Sequence, residues 1–406
     1  MCVVGTCPIQ KDVTLPRRLR GMQLSLVVAL FPRPESPNAR NPELIKRRIQ
    51  WLAREWHVNV LRIFFPIRGW CWTECTGKRC SILSPSDFES FLHSALERVP
   101  GDAWSGWLTD VINYCEAEGI WVMPACNVHE WMSQPRHKSF WREWRWFVRM
   151  WAGLARRWKR HRMMLFDFLN EPHAADPKDW DGWASKIYHE QMLPALWEAV
   201  REVDEKRYLV IEPGAWNVPE AYDSRAVNSK ALAQLRSDKR VLWSVHFYSP
   251  HLFTHQRLHR EAIQKAGLSR PLHYPSIQTY PDEAWQLDHP KYWKRWNIET
   301  LKQVLAPVAK FQKRYGVRIV AGEFGCANFP PASESRRRWF SDCLRLFEQH
   351  GWDWIQFEHD WLEGAAFPGS WTVTGTESEE VFRRYLKRNR AKPDAPANGS
   401  RKRSHF

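Results

Sequence analysis

Two carboxylic acids, Glu171 and Glu323, stand where runs of apolar residues end, in the segments LFDFLNEPH and VRIVAGEFG. A carboxyl group, or an amide such as that of Asn170, is costly in an apolar core and useful at a site. Two facing carboxyl groups can hydrolyse a glycosidic bond, because one protonates the leaving oxygen while the other meets the developing oxocarbenium ion. The pair therefore predicts acid/base chemistry on a sugar, with Glu171 as the acid and Glu323 as the nucleophile.

Further polar side chains lie in, or directly after, three other apolar runs. They are Arg62 in VNVLRIFF, Asn127 and His129 after GIWVMPAC, and His246 and Tyr248 in VLWSVHFY. We expect Arg62 and the Tyr248 hydroxyl to donate to Glu323 and to favour its ionised form. We expect fewer positive charges near Glu171, so that its pKa is raised and it begins the reaction protonated. We expect Asn170 to hold a sugar hydroxyl such as the 2-OH. Each residue alone more often has a structural role, so the hypothesis rests on the whole set.

Eight short apolar runs alternate with longer amphipathic segments. The runs lie at 22–30, 58–65, 119–128, 165–170, 208–213, 241–247, 317–324 and 352–358. Strands separated by helical stretches indicate parallel βαβ units, and strands apolar throughout indicate burial on both faces. Eight such units predict an α/β fold of the (β/α)8 TIM-barrel type, a single catalytic domain with long βα-loop insertions. A doubly wound open sheet is the alternative, but no G-x-G-x-x-G or phosphate-binding loop follows the first run.

The pattern divides the chain into three regions. Residues 1–19 form an N-terminal extension expected to be partly disordered, residues 20–390 the barrel domain, and residues 391–406 a basic tail expected to be disordered. The longest insertion separates the sixth and seventh runs and contains Tyr274, Tyr280 and Trp285. It is either a wall of a substrate cleft or a plain surface loop. Because the carboxyl ends of barrel strands meet at one mouth, we expect the polar residues to converge there.

The composition restricts the classes of partner. The 406 residues include 60 Lys and Arg against 45 Asp and Glu, for a net charge of +15. The basic residues are scattered, and no zinc-finger, KH or RNP-type motif accompanies them, so no nucleic-acid partner is predicted. The 26 Trp suit a cleft that stacks sugar rings, although most are expected in the core. A carbohydrate substrate is the predicted partner, and the oligomeric state is left open.

Cysteine usage and apolar stretches bear on metals and on location. Of nine cysteines, Cys71, Cys75 and Cys80 cluster in GWCWTECTGKRCS, but their spacing matches no common zinc motif. A loop disulfide or free thiols are therefore favoured over a metal site. The stretch MQLSLVVALF follows a basic segment as in a signal peptide, yet it starts late and lacks a cleavage site, which favours a buried strand. No run reaches the roughly 18 apolar residues of a membrane span; the cytoplasm is the default location, with secretion left open.

Taken in order, the motifs resemble those of glycoside hydrolase family 5, the cellulase-like branch of a large clan of (β/α)8 retaining glycosidases. They are RGMQ, LRIFF, NVH, LNEP, HFY and GEFG, spread over roughly residues 20–365. The resemblance implies that Glu171 is the acid/base and Glu323 the nucleophile of a two-step, net-retaining mechanism. It implies no metal or organic cofactor. It also places Arg62, His129, Asn170, His246 and Tyr248 at the family's usual active-site positions, where they bind the substrate.

The sequence departs from the family's pattern at three strands. Gln23 stands where the family usually has Asn, and Asn127 where it usually has Asp. At the end of the eighth strand, Phe357 stands where a sugar-stacking Trp is usual, with Trp361 just beyond as a possible replacement; both are predicted to contact substrate. We therefore predict a β-glycosidase acting on a β-linked glucan, mannan, oligosaccharide or glycoside. The alternative is a carbohydrate-binding barrel without catalytic activity.

Overall fold

Eight parallel strands form a closed barrel in the computed structural model of the protein. The structure describes residues 13–24, 42–65, 106–126, 140–173, 185–328, 333–359 and 371–390. The strands pair in sequence order, and β1 pairs with β8 to close the sheet. The strands are β1 (Arg20–Leu24), β2 (Val60–Phe65), β3 (Trp121–Cys126), β4 (Leu165–Asp167), β5 (Tyr208–Ile211), β6 (Val241–Phe247), β7 (Arg318–Phe324) and β8 (Asp353–His359). The predicted (β/α)8 barrel is confirmed, and the open-sheet alternative is wrong.

Helices connect the strands and surround the barrel. They are α1 (Pro42–Trp51), α2 (Trp107–Ala117), α3 (Phe140–Arg157), α4 (Leu193–Val203), α5 (Ala233–Ser237), α6 (His251–Thr254), α7 (Arg260–Lys265), α8 (Ile298–Tyr315), α9 (Ser333–His350) and α10 (Glu379–Leu386). Two π-helical turns, at Leu52–Trp56 and Tyr188–Met192, adjoin α1 and α4. No helix of the described residues is long and apolar enough to cross a membrane.

Helix α8 shows how local sequence forms these elements. The Asn297 side chain accepts hydrogen bonds from the backbone N–H groups of Glu299 and Thr300, which caps the first turn. The helix ends at Gly316, whose φ of 63° is the left-handed conformation that glycine adopts readily. Between these ends, an apolar stripe at helical spacing is buried, which includes Leu301, Val304, Leu305, Val308 and Phe311. The stripe holds α8 against the barrel.

Inside the barrel, strand residues form a separate apolar layer. It consists of Val60, Trp121, Met123, Leu165, Val210, Leu242, Val320 and Ile355, with Leu19 from the segment before β1. Neighbouring residues such as Leu61, Phe166 and Trp243 instead pack in the larger core that includes the helices. This alternation follows from the two-residue period of a β-strand. Both strand faces are therefore apolar at this level, as the near-continuous apolar runs predict.

Strand ends differ from the predicted limits by a few residues. The run predicted at 165–170 is regular only over Leu165–Asp167, although the Asn170 N–H still donates to the Cys126 carbonyl of β3 at 2.8 Å. The predicted first strand extends to residue 30, which lies outside the described residues, as do Cys71, Cys75, Cys80 and the predicted tail at 391–406. The three predicted regions of the chain stay predictions.

Candidate active site

Polar side chains occupy the level of the barrel directly above the apolar layer. Since side chains alternate along a strand, the residue two positions after an interior apolar residue also faces the interior. The buried polar residues in this phase are Arg62 on β2, Asp167 on β4, Glu212 after β5, and Ser244 and His246 on β6. They lie at the carboxyl ends of the strands, where barrel enzymes carry their active sites.

Arg62 is the centre of this polar level. Its side chain is fully buried, and five hydrogen bonds use the five N–H donors of the guanidinium. The acceptors are Gln23 at 2.7 Å, Asp167 at 2.8 Å, Asn170 at 2.8 Å, Glu212 at 2.9 Å, and Glu323. One cation thereby links residues from β1, β4, β5 and β7 to β2.

Glu323 projects into the site from an irregular part of β7. The pairing register between β6 and β7 shifts between Val245 and His246, so that His246 lies opposite Glu323 and Gly322 is the extra residue. Arg62 donates to one oxygen of Glu323, and the Tyr248 hydroxyl donates to the other at 2.6 Å. Both donors are where the sequence analysis expects them.

The ionisation of Glu323 differs from the expectation in one respect. Burial raises the pKa of this carboxyl, and the neighbouring Glu171 charge adds to the shift. The charges of His246 and Arg62 and the hydrogen bond from Tyr248 lower the pKa, as expected, but they do not outweigh burial. The anion is therefore stabilised by specific donors within a site that otherwise disfavours charge.

Glu171 is held by its backbone as well as by its side chain. Its φ is 47°, a left-handed conformation that costs a residue other than glycine about 1–2 kcal/mol. Its backbone N–H donates to the Glu212 carboxylate at 2.6 Å, and its carbonyl oxygen lies 2.8 Å from Nδ1 of His173. These contacts fix the backbone that aims the Glu171 side chain.

His246 lies between the carboxyl groups. Its Nδ1 is 2.8 Å from Glu171 and 3.7 Å from Glu323, and its Nε2 is 3.2 Å from Glu212. Burial alone lowers the pKa of His246, but the charges of Glu212 and Glu323 and the hydrogen bond with Glu171 raise it well above the usual value. These neighbours favour the positively charged form of the imidazole. Among the described residues, Glu171 lies beside His246, whereas Glu323 lies beside both His246 and Arg62.

Asp167 and Glu212 belong to the site but were missed by the sequence reasoning. Burial raises the pKa of Asp167 to about 7, although the charge of Arg62 opposes the shift. Gln23, considered only as a departure from a family pattern, is an acceptor for Arg62. The signal for Glu212 was present, because VIEP repeats the arrangement of LNEP: an apolar run followed by a glutamate and a proline.

Of the remaining residues predicted to contact substrate, some lie beside the site and others lie outside the described residues. The Asn170 side-chain oxygen accepts from Arg62, so this oxygen has a protein partner. Phe357 packs edge-on against Tyr248 and Trp371, with ring centroids 6.0 Å and 5.5 Å away. Trp371, which the sequence analysis did not consider, thus lies beside the hydroxyl that donates to Glu323. Asn127, His129 and Trp361 lie outside the described residues.

The insertion between β6 and β7 begins at the mouth of the barrel. The His255 ring packs against Tyr248 and Trp371, at 5.2 Å and 4.7 Å. Burial lowers the pKa of His251 to about 4, and the charge of Glu171 acts in the opposite direction. These contacts favour the interpretation of this segment as a wall of the cleft.

The aromatic residues noted in the insertion are divided between its core and its surface. Tyr274 and Tyr280 are buried, and their hydroxyls donate to the Asp342 side chain and the His273 carbonyl at 2.8 Å. Trp285 is 65% exposed. The Tyr280 hydroxyl thus stabilises the insertion itself, and the Tyr274 hydroxyl connects the insertion to α9, which contains Asp342.

A strained loop follows β5. Three consecutive residues, Ala215, Trp216 and Asn217, have φ values of 49°, 59° and 58°. Such conformations persist only where surrounding contacts hold them. Asn217 donates to the Ser244 hydroxyl at 3.0 Å, and the Trp216 ring stacks on His173 with centroids 3.4 Å apart. The loop therefore presents a half-exposed indole next to the residue that contacts the Glu171 backbone.

One cluster among the described residues has the geometry of metal ligands. Glu171 and Glu323 each offer a carboxylate oxygen and His246 offers a ring nitrogen, and these three atoms lie within 4.8 Å of one another. The same spacing brings the two carboxyl groups close enough to act on opposite sides of one sugar carbon. The hydrogen bonds already described give this cluster a role without a metal.

The sequence and the fold are similar to those of known glucanases. Endoglucanase C of Acetivibrio thermocellus is 30% identical over 212 residues, which are 50% of this chain and 56% of that protein. The chain thus spans about half the length of the curated relatives it matches. The structure of endoglucanase Cel5A from Thermotoga maritima aligns with this chain with a TM-score of 0.57 at 20% sequence identity. The alignment covers 91% of this chain and 96% of the Cel5A chain.

A second structure of Thermotoga maritima Cel5A, in complex with mannotriose, has a TM-score of 0.52 at 18% sequence identity. This alignment covers 91% of this chain and 97% of the Cel5A chain. At these identities the structures show a shared fold. The family is shown by the sequence profile of the cellulases, which matches residues 18–360, most of the chain. This chain therefore belongs to the cellulase family, glycosyl hydrolase family 5.

Proposed function

We propose that the protein is a β-glycoside hydrolase that cleaves its substrate with net retention at the anomeric carbon. The observation that carries the proposal is the spacing of Glu171 and Glu323, whose oxygens approach within 4.8 Å. Retaining glycosidases hold their carboxyl groups about 5–5.5 Å apart, whereas inverting enzymes leave about 6.5–9.5 Å for a water molecule. The shorter spacing favours direct attack by a carboxylate.

In the first step, an oxygen of Glu323 attacks the anomeric carbon and forms a glycosyl ester. The bond from that carbon to the leaving oxygen breaks, and Glu171 transfers its proton to that oxygen. Arg62 and Tyr248, which donate to Glu323, orient the attacking carboxylate. Their bonds hold the nucleophile in place before the substrate arrives, which reduces the reorganisation required in the transition state.

In the second step, Glu171 acts as a base. It takes a proton from water, the water oxygen attacks the anomeric carbon from the face that the leaving group vacated, and the ester bond to Glu323 breaks. The positive His246, 2.8 Å from Glu171, stabilises the carboxylate that exists between the two steps. Two inversions at the same carbon give net retention.

For the substrate, we propose a β-linked glucan or a gluco-oligosaccharide. The names of the relatives support this choice, since Endoglucanase C and Cel5A are endoglucanases. The structure with mannotriose supports mannan as the second substrate to test. The half-exposed Trp216 beside the site suits a sugar ring, because a broad apolar face packs well on the C–H face of a pyranose.

The test is turnover of an aryl β-cellobioside by the wild type and by Glu323→Gln, with the anomer of the first product read by NMR. We expect β product from the wild type and loss of nearly all turnover in the variant, with unchanged circular dichroism. Glu348→Gln is the control, because it makes the same change in a carboxylate that binds Arg20 at the opposite end of the barrel. An α product would contradict retention, and binding of cello-oligosaccharides without turnover would favour the carbohydrate-binding alternative.

A further inference from the structure

Glu212 contacts both halves of the catalytic apparatus and has no role in the two chemical steps. One carboxylate oxygen accepts from Arg62 at 2.9 Å and lies 3.2 Å from Nε2 of His246. The other oxygen accepts the backbone N–H of Glu171 at 2.6 Å. The side chain is fully buried. The Arg62 guanidinium and the Glu171 N–H both donate, so each oxygen of Glu212 accepts a hydrogen bond.

The backbone of Glu212 is fixed independently of its side chain. Its carbonyl oxygen accepts from the Tyr188 hydroxyl at 2.8 Å, and β5 ends one residue earlier. The carboxylate therefore projects from a strand end whose position does not depend on Arg62 or Glu171. A rigid origin allows it to impose its position on its partners.

We propose that Glu212 is a positioning residue that sets the backbone conformation of Glu171 and links it to Arg62, the residue that orients the nucleophile. The inference rests on the proposed function of Glu171 and Glu323. Glu171 has a φ of 47°, and the short bond from its N–H to Glu212 offsets the strain of this conformation. Without that bond the Glu171 side chain is no longer held in the orientation that proton transfer to the leaving oxygen requires.

The chemistry of the Glu212 side chain supports this assignment over a general packing role. In Glu212→Gln, one oxygen becomes an NH₂ group that donates and cannot accept. In either orientation of the amide, the acceptor for Arg62 or the acceptor for the Glu171 N–H is lost. Glu212→Asp keeps two acceptor oxygens and the charge on a shorter side chain, so it is the conservative variant.

The removal of a negative charge also affects the pH dependence. The negative charge of Glu212 raises the pKa of His246 and that of Asp167. In Glu212→Gln, the pKa values of these two groups therefore fall. Because His246 lies beside both Glu171 and Glu323, the limbs of the bell-shaped profile of kcat/KM against pH move from their wild-type positions. Glu212→Asp leaves both limbs where they are, because it keeps the charge.

The experiment compares phenyl and 2,4-dinitrophenyl β-cellobioside. Phenolate needs a proton from the acid, whereas dinitrophenolate leaves without one. We expect Glu212→Gln to lower kcat/KM about 10²-fold for the phenyl substrate and less than about 10-fold for the dinitrophenyl substrate. Glu212→Asp recovers part of the activity on the phenyl substrate. Glu348→Gln, which also breaks a bond between a glutamate and an arginine, leaves the ratio of the two substrates and both pH limbs unchanged.

Equal losses on the two substrates with unmoved pH limbs would overturn the inference, as would an aspartate variant that matches the glutamine variant. Thermal unfolding of each variant identifies loss of fold, and a variant that is folded at the assay temperature but keeps the wild-type ratio counts against the proposal. Failure of the proposed function is a different result, because the wild type itself then hydrolyses neither glycoside.

Discussion

The hydrogen bond between Tyr248 and Glu323 shows what single residues contribute to this site. Burial raises the pKa of Glu323, and the Tyr248 hydroxyl, at 2.6 Å, acts against that shift. In the proposed mechanism Glu323 must be ionised to attack, so each donor that stabilises its anion extends activity to lower pH. Arg62 serves the same carboxylate, which means that no single donor carries the whole effect.

We expect Tyr248→Phe to move the acid limb of the kcat/KM profile to higher pH. The variant removes a hydrogen bond that lowers the Glu323 pKa, so the pKa rises and the ionised fraction at acidic pH falls. The maximal rate falls about 10- to 10²-fold, since one donor to the reacting carboxylate is lost. Steady-state rates at a series of pH values measure both effects.

Tyr274→Phe is the matched control for this prediction. It also removes a tyrosine hydroxyl bonded to a carboxylate, because the Tyr274 hydroxyl in the insertion donates to Asp342 of α9 at 2.8 Å. Its pH profile should follow the wild type. A Tyr248→Phe profile with an unmoved acid limb would show that this hydroxyl does not tune the nucleophile.

At the scale of elements, the irregular pairing of β6 with β7 decides where Glu323 lies. The register shift places His246 opposite Glu323 and makes Gly322 the extra residue on β7. A Cβ atom added at Gly322 would lie 2.3 Å from the Ser244 hydroxyl oxygen and 3.3 Å from Nε2 of His246. A larger residue at this position therefore requires the Ser244 side chain to shift, and the close contact supports the position of His246.

We expect Gly322→Ala to destabilise the protein by about 1–3 kcal/mol, as overpacking of a well-packed interior does. It should also lower kcat, because the added methyl displaces Ser244 and the imidazole of His246. Denaturant unfolding and steady-state rates measure the two effects. The control is Gly153→Ala in α3, where a Cβ atom meets nothing within 4 Å and the change should stabilise by about 0.5–1 kcal/mol. Wild-type stability and kcat in Gly322→Ala would show that the strands can move apart without cost.

At the scale of the whole molecule, the described part of the barrel interior contains more acidic groups than basic ones around Arg62. Four carboxyl groups, those of Asp167, Glu171, Glu212 and Glu323, share the cations of Arg62 and His246. Full ionisation of all four would leave net negative charge in a buried site, which is costly. Burial accordingly raises the pKa of Asp167 to about 7. In the folded protein, Asp167 is therefore largely protonated at mildly acidic pH.

This proton makes stability depend on pH, with a sign that follows from linkage. The folded-state pKa of Asp167, about 7, exceeds its value of 3.8 in an unfolded chain. The contribution of Asp167 to the free energy of unfolding is thus fully present below pH 3.8 and is lost as the pH rises towards 7. We expect Asp167→Asn, which does not titrate, to gain stability relative to the wild type over this window and to level off above it. Denaturant unfolding at intervals from pH 4 to pH 8 tests this, and a constant difference between the two proteins would contradict it.

The sequence by itself determined the architecture and the two principal residues. Eight apolar runs with helical segments between them predict a (β/α)8 barrel, because the periods of strands and helices are local properties of the chain. Glu171 and Glu323 were recognisable, since a carboxyl group at the end of an apolar run is hard to explain by packing. The same logic applies to Glu212, where a repeat of the pattern was present and was overlooked.

The tertiary structure alone decided which distant groups meet. Arg62 contacts residues on four other strands, and the partners depend on how the closed barrel staggers its strands, which no local pattern encodes. The left-handed φ of Glu171 and the extra residue at Gly322 likewise arise from contacts across the barrel. Pairing between remote strands is a property of the packed whole, so the charge balance that governs the site exists only after folding.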